Sequence, residues 1–245
     1  MKVNYFCSGF DSNNAFWPEL AERFKNEMTD TKSIVYIPGG PEKIEKAKIK
    51  HVPLFKEQFR KVGIYFENSY LISPEMDSEV AKKLIDNASF IMLMGGDPFV
   101  QKAMCDKLGI LENLKNHNSV MLGFSAGAML MSKNIIITPC SEEYPDFHIE
   151  PGMNLSGISI YPHINFDGNE YPEKVYVGDE IYDRNDLIKV AQEFGDFYLL
   201  QDYLNEKGLT NVSLIRTCGS EIEFITQNNG KIFKATRNGI KLSVK

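Results

Sequence analysis

SVMLGFSAGAML, residues 119–130, sets Gly123, Ser125 and Gly127 at alternating positions between two apolar runs. SVML reads as a buried strand, and AGAMLMS can begin a helix. Gly123-Phe124-Ser125-Ala126-Gly127 therefore fits G-x-S-x-G, a strained strand-to-helix turn that lifts a serine hydroxyl out of the backbone. Small residues suit such a turn because it cannot admit bulk beside the serine. The competing reading is a plain small-residue turn packed against a neighbouring helix. A hydroxyl reacts only if a base takes its proton and donors receive the oxyanion, so the rest of the chain must supply both.

Working outward, short apolar runs alternate with amphipathic stretches. Strands are expected at VNYFC (3–7), SIVYIP (33–38), VGIYFE (62–67), SFIMLMGG (89–96) and SVMLG (119–123). WPELAERFKNEM (17–28) and PEMDSEVAKKLIDN (74–87) repeat apolar residues at helical spacing. Strands separated by helices of about ten residues or more read as βαβ units on a mostly parallel sheet. Beyond the elbow come a loop-rich segment, 138–152, and a strand within SGISIYPHINF (156–166). A long helix is expected over 184–206, followed by an antiparallel pair turning at QNNGK, with NGIKLSVK as an edge strand. The expected fold is a three-layer α/β/α arrangement with a small antiparallel C-terminal part. Without a linker rich in Gly, Ser or Pro, and without a repeat, residues 1–245 read as one domain.

Composition removes several classes of function. Apolar residues make up 43% and charged residues 24%, the balance of an ordinary globular protein. The net charge is -6 and no Lys/Arg stripe is interleaved with aromatics, which argues against nucleic acid as a partner. KIEKAKIK (43–50) is the densest basic stretch; Lys43, Lys46 and Lys50 fall on one helical face and are expected to face water. Neither a signal-peptide core nor an 18-residue apolar run occurs, so a cytoplasmic protein away from membranes is expected. Cys7, Cys105, Cys140 and Cys218 form no CxxC pair and read as reduced thiols. HIEPG lacks the second histidine of HExxH, so no metal is expected.

Four histidines compete for the role of base. His51 and His117 precede the elbow in surface-like contexts. His163 follows a strand in SIYPHINF, on the rim where sites of parallel sheets form, and is preferred over His148 in its acidic loop. Oxyanion donors are expected from the N–H groups of Gly96 and Ala126, because MLMGGDPF (92–99) ends a neighbouring strand. Asp97-Pro98 can cap the helix after it. The orienting acid stays open among Glu142, Glu143, Asp146, Glu150 and Asp167, none of which has an identifying spacing. In α/β-hydrolases the histidine comes last, far from the serine; no histidine occurs in the 82 residues after His163, so that fold is excluded.

The GGD turn, the GFSAGAML elbow and the YPHINF histidine, in that order, resemble the S51 serine peptidase family, which contains aspartyl dipeptidase and cyanophycinase. The resemblance is strongest over 89–166. It implies the flavodoxoid fold of class I glutamine amidotransferases, with Ser125 as nucleophile, His163 as general base and the GGD segment beside the substrate carbonyl. It also implies an acidic partner shortly after the serine helix, where Glu142 matches best, and an arginine at a later helix start, where Arg184 matches. The implied activity is hydrolysis of short peptides without a cofactor, with a preference for an N-terminal aspartyl residue. The alternative is a non-catalytic binding member of the same fold. Whether the chain works alone or as a homodimer is not set by the sequence.

Overall fold

A computed structural model describes residues 2–11, 14–139, 144–177 and 180–244. The first half builds its strands and helices in alternation. In chain order they are β1 (Val3–Cys7), α1 (Pro18–Glu27), β2 (Ser33–Gly39), α2 (Ile44–Lys46), α3 (Val52–Lys61), β3 (Asn68–Leu71) and α4 (Ser78–Asp86). Then follow β4 (Phe90–Gly96), α5 (Pro98–Lys107), α6 (Leu111–Lys115), β5 (Val120–Phe124) and α7 (Ala126–Met131). The second half holds β6 (Asn134–Ile137), β7 (His148–Pro151), β8 (Ile160–Ile164), β9 (Lys174–Val177), β10 (Glu180–Asp183) and α8 (Arg184–Phe194). It closes with β11 (Phe197–Gln201), β12 (Val212–Cys218), β13 (Glu221–Gln227), β14 (Ile232–Thr236) and β15 (Gly239–Leu242).

Seven strands form the main sheet in the order β13-β12-β1-β5-β4-β2-β3. The five from β1 to β3 run parallel, and β12 and β13 extend the β1 edge antiparallel. Both faces are covered. Val3, Tyr5, Ile34, Tyr36, Phe90 and Met92 face α1 and α3, where Phe24, Phe55 and Phe59 are buried. Their neighbours Phe6, Val35, Ile91, Leu93 and Met121 face the opposite layer, which includes Ala81, Ile85 and Met104 of α4 and α5. The period-two alternation of a strand thus feeds two cores, which is why these runs read as continuously apolar. Burying a side chain of this size stabilises by roughly 1.5–3 kcal/mol, so the pattern fixes the register of the sheet.

A second sheet, β15-β14-β11-β8, packs against α8 around Tyr161, Leu187, Val190, Phe197 and Phe233. Within it β8 and β11 run parallel and the other neighbours antiparallel. Among the described residues no helix is long and apolar enough to cross a membrane.

Three local expectations are corrected. The strand expected at 62–67 begins only at Asn68, because Gly63 takes φ 75° and the Ile64 N–H folds back onto the Phe59 carbonyl to close α3. The helix expected over 184–206 stops at Phe194, where Gly195 adopts φ 95°, and FYLLQ becomes β11 instead. The QNNGK turn does not close a hairpin. Asn228 and Asn229, both at positive φ, carry the chain from β13 in the main sheet to β14 in the second.

Candidate functional site

The turn after β5 is strained as the sequence expected. Ser125 sits at φ 50° and ψ -115°, a conformation that costs a non-glycine residue on the order of 1–3 kcal/mol. Its N–H donates to the Cys7 carbonyl at 2.9 Å, which anchors the turn to the carboxyl end of β1. The flanking glycines are required by close approach. A Cβ at Gly127 would lie 2.4 Å from the Leu93 carbonyl oxygen, and one at Gly123 would lie 2.6 Å from the Ala128 nitrogen. The helix α7 can therefore rest directly on β4 and β5 only with both glycines in place.

His163 is brought to Ser125 by a second distortion. Between the pairs Leu199↔Tyr161 and Gln201↔Ile164, β8 holds one more residue than β11, a bulge that coincides with φ 67° at His163. Bulges of this kind re-aim a side chain. Here the imidazole turns toward the elbow, and Ser125 Oγ lies 2.6 Å from His163 Nε2.

The other ring nitrogen, His163 Nδ1, donates to Asp202 Oδ2 at 2.8 Å. Asp202 follows directly on β11, the parallel neighbour of β8, so histidine and acid stand side by side at two adjacent strand ends. Its side chain is only 9% exposed, against 37% for His163. Oδ1 has no hydrogen-bond partner among the described residues, so the buried charge is directed at the imidazole. That charge holds the tautomer with hydrogen on Nδ1, so that Nε2 can accept from the serine hydroxyl. The negative charge is also felt nearby: burial, then Asp202, push the Cys7 thiol far above its ordinary value and keep it neutral.

The end of β1 ties the two sheets together at this point. The buried Ser8 hydroxyl lies 3.1 Å from the Gln201 carbonyl and 3.2 Å from that of Ser213. Ser125 is thus anchored through Cys7 and Asp202 through Ser8 and Gln201, so the strand end β1 sets their separation.

The other expected residues fall in different places. Glu142 and Glu143 lie outside the described residues. Glu150 pairs with Lys102 at 2.9 Å and with His148 at 3.1 Å, and His148 also packs edge-on to Phe99, which leaves both away from the elbow. Asp97 caps α5, accepting from the N–H groups of Phe99 and Val100 at 2.8 and 3.0 Å, while the Tyr144 hydroxyl takes its second oxygen at 2.8 Å. Arg184 begins α8 as expected, and its guanidinium donates to the Tyr171 carbonyl at 3.1 Å. His117, read as surface-like, is buried, with Nε2 3.0 Å from Asn4 Oδ1.

Two hollows flank the pair Ser125–His163. The larger, about 450 Å³, has an aromatic wall of Phe10, Phe55 and Phe124, whose ring centroids lie 4.8–5.3 Å apart. The smaller, about 180 Å³, is lined by Met129, Ile137, Tyr161 and Tyr182. Gly96 borders both hollows, and neither is lined by Asp97 or Arg184. A Cβ at Gly95 would stand 4.0 Å from Ser125 Oγ, at ordinary contact distance, so residue 95 lies directly beside the serine. Among the described residues no group of three or more His, Cys, Asp or Glu side chains is arranged to hold a metal ion.

Asp202 is the site residue that the sequence reading missed. It was hidden by the helix assigned through 197–206. The available signal was Gly195 after the helix, then the compact run FYLLQ and an acid where a parallel strand would end.

The chain resembles known proteins in sequence and in fold. Residues 7–191 match the sequence pattern of peptidase family S51. Among solved structures, a candidate peptidase E protein from Listeria monocytogenes EGD-e superposes with a TM-score of 0.59 at 15% identity, covering 93% of this chain and 100% of that one. A peptidase from an acI-B1 Actinobacterium superposes with a TM-score of 0.57 at 18% identity, covering 98% of this chain and 93% of its own. At these identities the likeness is one of fold. No curated protein matches the sequence.

Proposed function

This chain belongs to peptidase family S51, and from that premise we propose that Ser125, His163 and Asp202 work as one relay that hydrolyses short peptides through an acyl-enzyme. The observation that carries the reading is the continuous chain of contacts, 2.6 Å from Ser125 Oγ to His163 Nε2 and 2.8 Å from His163 Nδ1 to Asp202 Oδ2. In this mechanism His163 takes the hydroxyl proton as Oγ attacks the peptide carbonyl. Asp202 holds the ring in its accepting tautomer and stabilises the imidazolium that forms. The oxyanion is placed against the N–H of Ala126, which begins α7 and so has no acceptor within that helix, and the N–H of Gly96. The imidazolium then protonates the leaving amine, and water repeats the sequence on the ester.

The aspartyl preference implied by the family resemblance would fall to Arg184, but that side chain donates to a backbone carbonyl and borders neither hollow. We therefore assign the acylation chemistry to the relay and no substrate contact to Arg184. A fluorophosphonate probe tests the core of this reading. It should label the protein once, at Ser125, and labelling should vanish in Ser125→Ala and collapse in His163→Ala. Failure of the wild-type protein to react, with the hollow open, would overturn the serine mechanism.

A further inference from the structure

We propose that Lys43 and Lys46 are specificity-determining residues, which together hold a substrate carboxylate in the larger hollow while an uncharged group occupies the smaller one. The proposal rests on Ser125 being the nucleophile between the two hollows, and it names what the enzyme reads on either side.

The basic stretch KIEKAKIK was expected to face water. Lys43, Lys46 and Lys50 are indeed exposed, and Lys43 and Lys46, with Ala47 and His51, also border the larger hollow together with Ser125 and His163. The four positions lie at i, i+3, i+4 and i+8, one face of a continuous helical segment. That segment is irregular. A 3-10 turn, Pro41–Lys43, leads into α2, and a π-helical turn, Ala47–His51, joins α2 to α3. π turns occur often beside functional sites, and this one carries Ala47 and His51 of the cleft wall.

The charges in the larger hollow leave a positive excess. Asp202 is committed to His163 at 2.8 Å. Burial, with the positive charges of Lys46 and Lys50, lowers the affinity of His51 for a proton, so it stays neutral near pH 7. Lys43 has only a marginal contact with Glu42, 3.9 Å between partners that are each about half exposed, which in water contributes little. Lys46 takes part in no ion pair among the described residues. Two ammonium groups on flexible stems at the edge of an aromatic wall suit a carboxylate carried on an apolar stem, with the stem on Phe10, Phe55 and Phe124.

The smaller hollow differs in kind. Its wall is Met129, Ile137, Tyr161 and Tyr182 with Pro98 and Pro162, and among the described residues no lysine or arginine lines it. A carboxylate pressed into it would lose water without gaining an opposite charge. The same carboxylate in the larger hollow keeps partial solvation and gains two partners. The carboxylate itself can be an acidic side chain or the free C-terminus of a short peptide; the chemistry recognised is the same.

Kinetics and binding separate these cases. The substrates are Glu-Ala-Ala and Ala-Ala-Glu, their glutamine counterparts, and the C-terminal amides of all four. Each is used for turnover with the intact protein and for calorimetric binding to the Ser125→Ala protein. A carboxylate should raise kcat/KM and tighten binding about tenfold, the lower end of a charge-assisted hydrogen bond because the site is partly open. Glutamine against glutamate reports a side-chain source, and amide against acid reports the terminus. Lys43→Met/Lys46→Met should bring both ratios close to one, and Lys43→Arg/Lys46→Arg should keep them. Ratios unaffected by the methionine pair, or no carboxylate-dependent binding at all, would overturn the proposal. Lysine-dependent binding to Ser125→Ala without any turnover by the intact protein would instead overturn the serine mechanism and leave the lysine assignment standing.

Discussion

Asp202 receives the His163 Nδ1–H at 2.8 Å from the end of the neighbouring parallel strand, and the same oxygen has room only because residue 9 is a glycine, where a Cβ would stand 2.2 Å from Oδ2. The acid therefore sits close to both the imidazole and the chain leaving β1. This placement decides how the relay should respond to substitution.

Asp202→Asn keeps the shape of the acid but reverses what it asks of the ring. An amide can donate to Nδ1 and so favour the wrong tautomer, with no charge to stabilise the imidazolium. By analogy with other serine hydrolases, kcat should fall by roughly 10²–10⁴ with KM little changed. Steady-state kinetics on any cleaved peptide checks this, and wild-type turnover would remove Asp202 from the relay.

Gly9→Ala should reproduce much of that loss without touching a reacting group. The new Cβ would stand 2.2 Å from Asp202 Oδ2, so the buried carboxylate must shift off Nδ1. Fluorophosphonate labelling should slow at least about tenfold, since a misplacement on the order of 1 Å can cost as much as 10²-fold. Thermal unfolding reports separately on the fold. Unchanged labelling kinetics would show that the acid has slack.

Ser125→Ala and His163→Ala should each remove nearly all peptide hydrolysis, and the double variant should be scarcely worse than either. Groups that act as a unit do not add. His148→Ala, which disturbs contacts to Glu150, Phe99 and Tyr144, should retain most of the activity. A deeper loss from His148 than from His163 would reverse the assignment of the base.

His117 should make the fold acid-sensitive. Burial, reinforced by the charge of Lys2, pushes its pKa down to about 3, and the neutral ring is held between Asn4 Oδ1 and the Ser119 N–H. The folded value lies below the unfolded value of about 6.5, so the neutral form is the folded one. Its contribution is fully present above pH ~6.5 and declines as pH falls toward 3, by about 1.4 kcal/mol per pH unit. Urea unfolding at pH 7, 6, 5 and 4 should show a shallower decline for His117→Gln than for the wild type. Parallel declines would mean that His117 binds its proton in the folded state.

Some of this site was legible in residue order, because its signals are local. The elbow is a strand, three small residues around a serine, and a helix start, all within SVMLGFSAGAML. His163 was legible as a histidine at the end of a β-branched and aromatic run. The bulge that aims it was not, since a bulge is a property of two strands in register. Asp202 and the lysines escaped for two different reasons. The run before Asp202 reads as the continuation of a helix, and Lys43 and Lys46 do face solvent, so no local signal shows the hollow that they also border.

The sequence by itself determined the alternation of strand and helix, the two-sided burial of the main sheet and the serine at its centre. Each follows from periodicity and side-chain size over about ten residues, the range in which backbone geometry and burial act together. The tertiary structure alone decided which carboxylate meets the histidine and which charges face the serine. His163 and Asp202 are 39 residues apart in the chain but on neighbouring strands, and a contact of that kind is chosen by which strands pair. Lys43 and Lys46 border the same hollow as Ser125 for the same reason: the segment after β2 and the turn after β5 come together only when β4 pairs between those two strands.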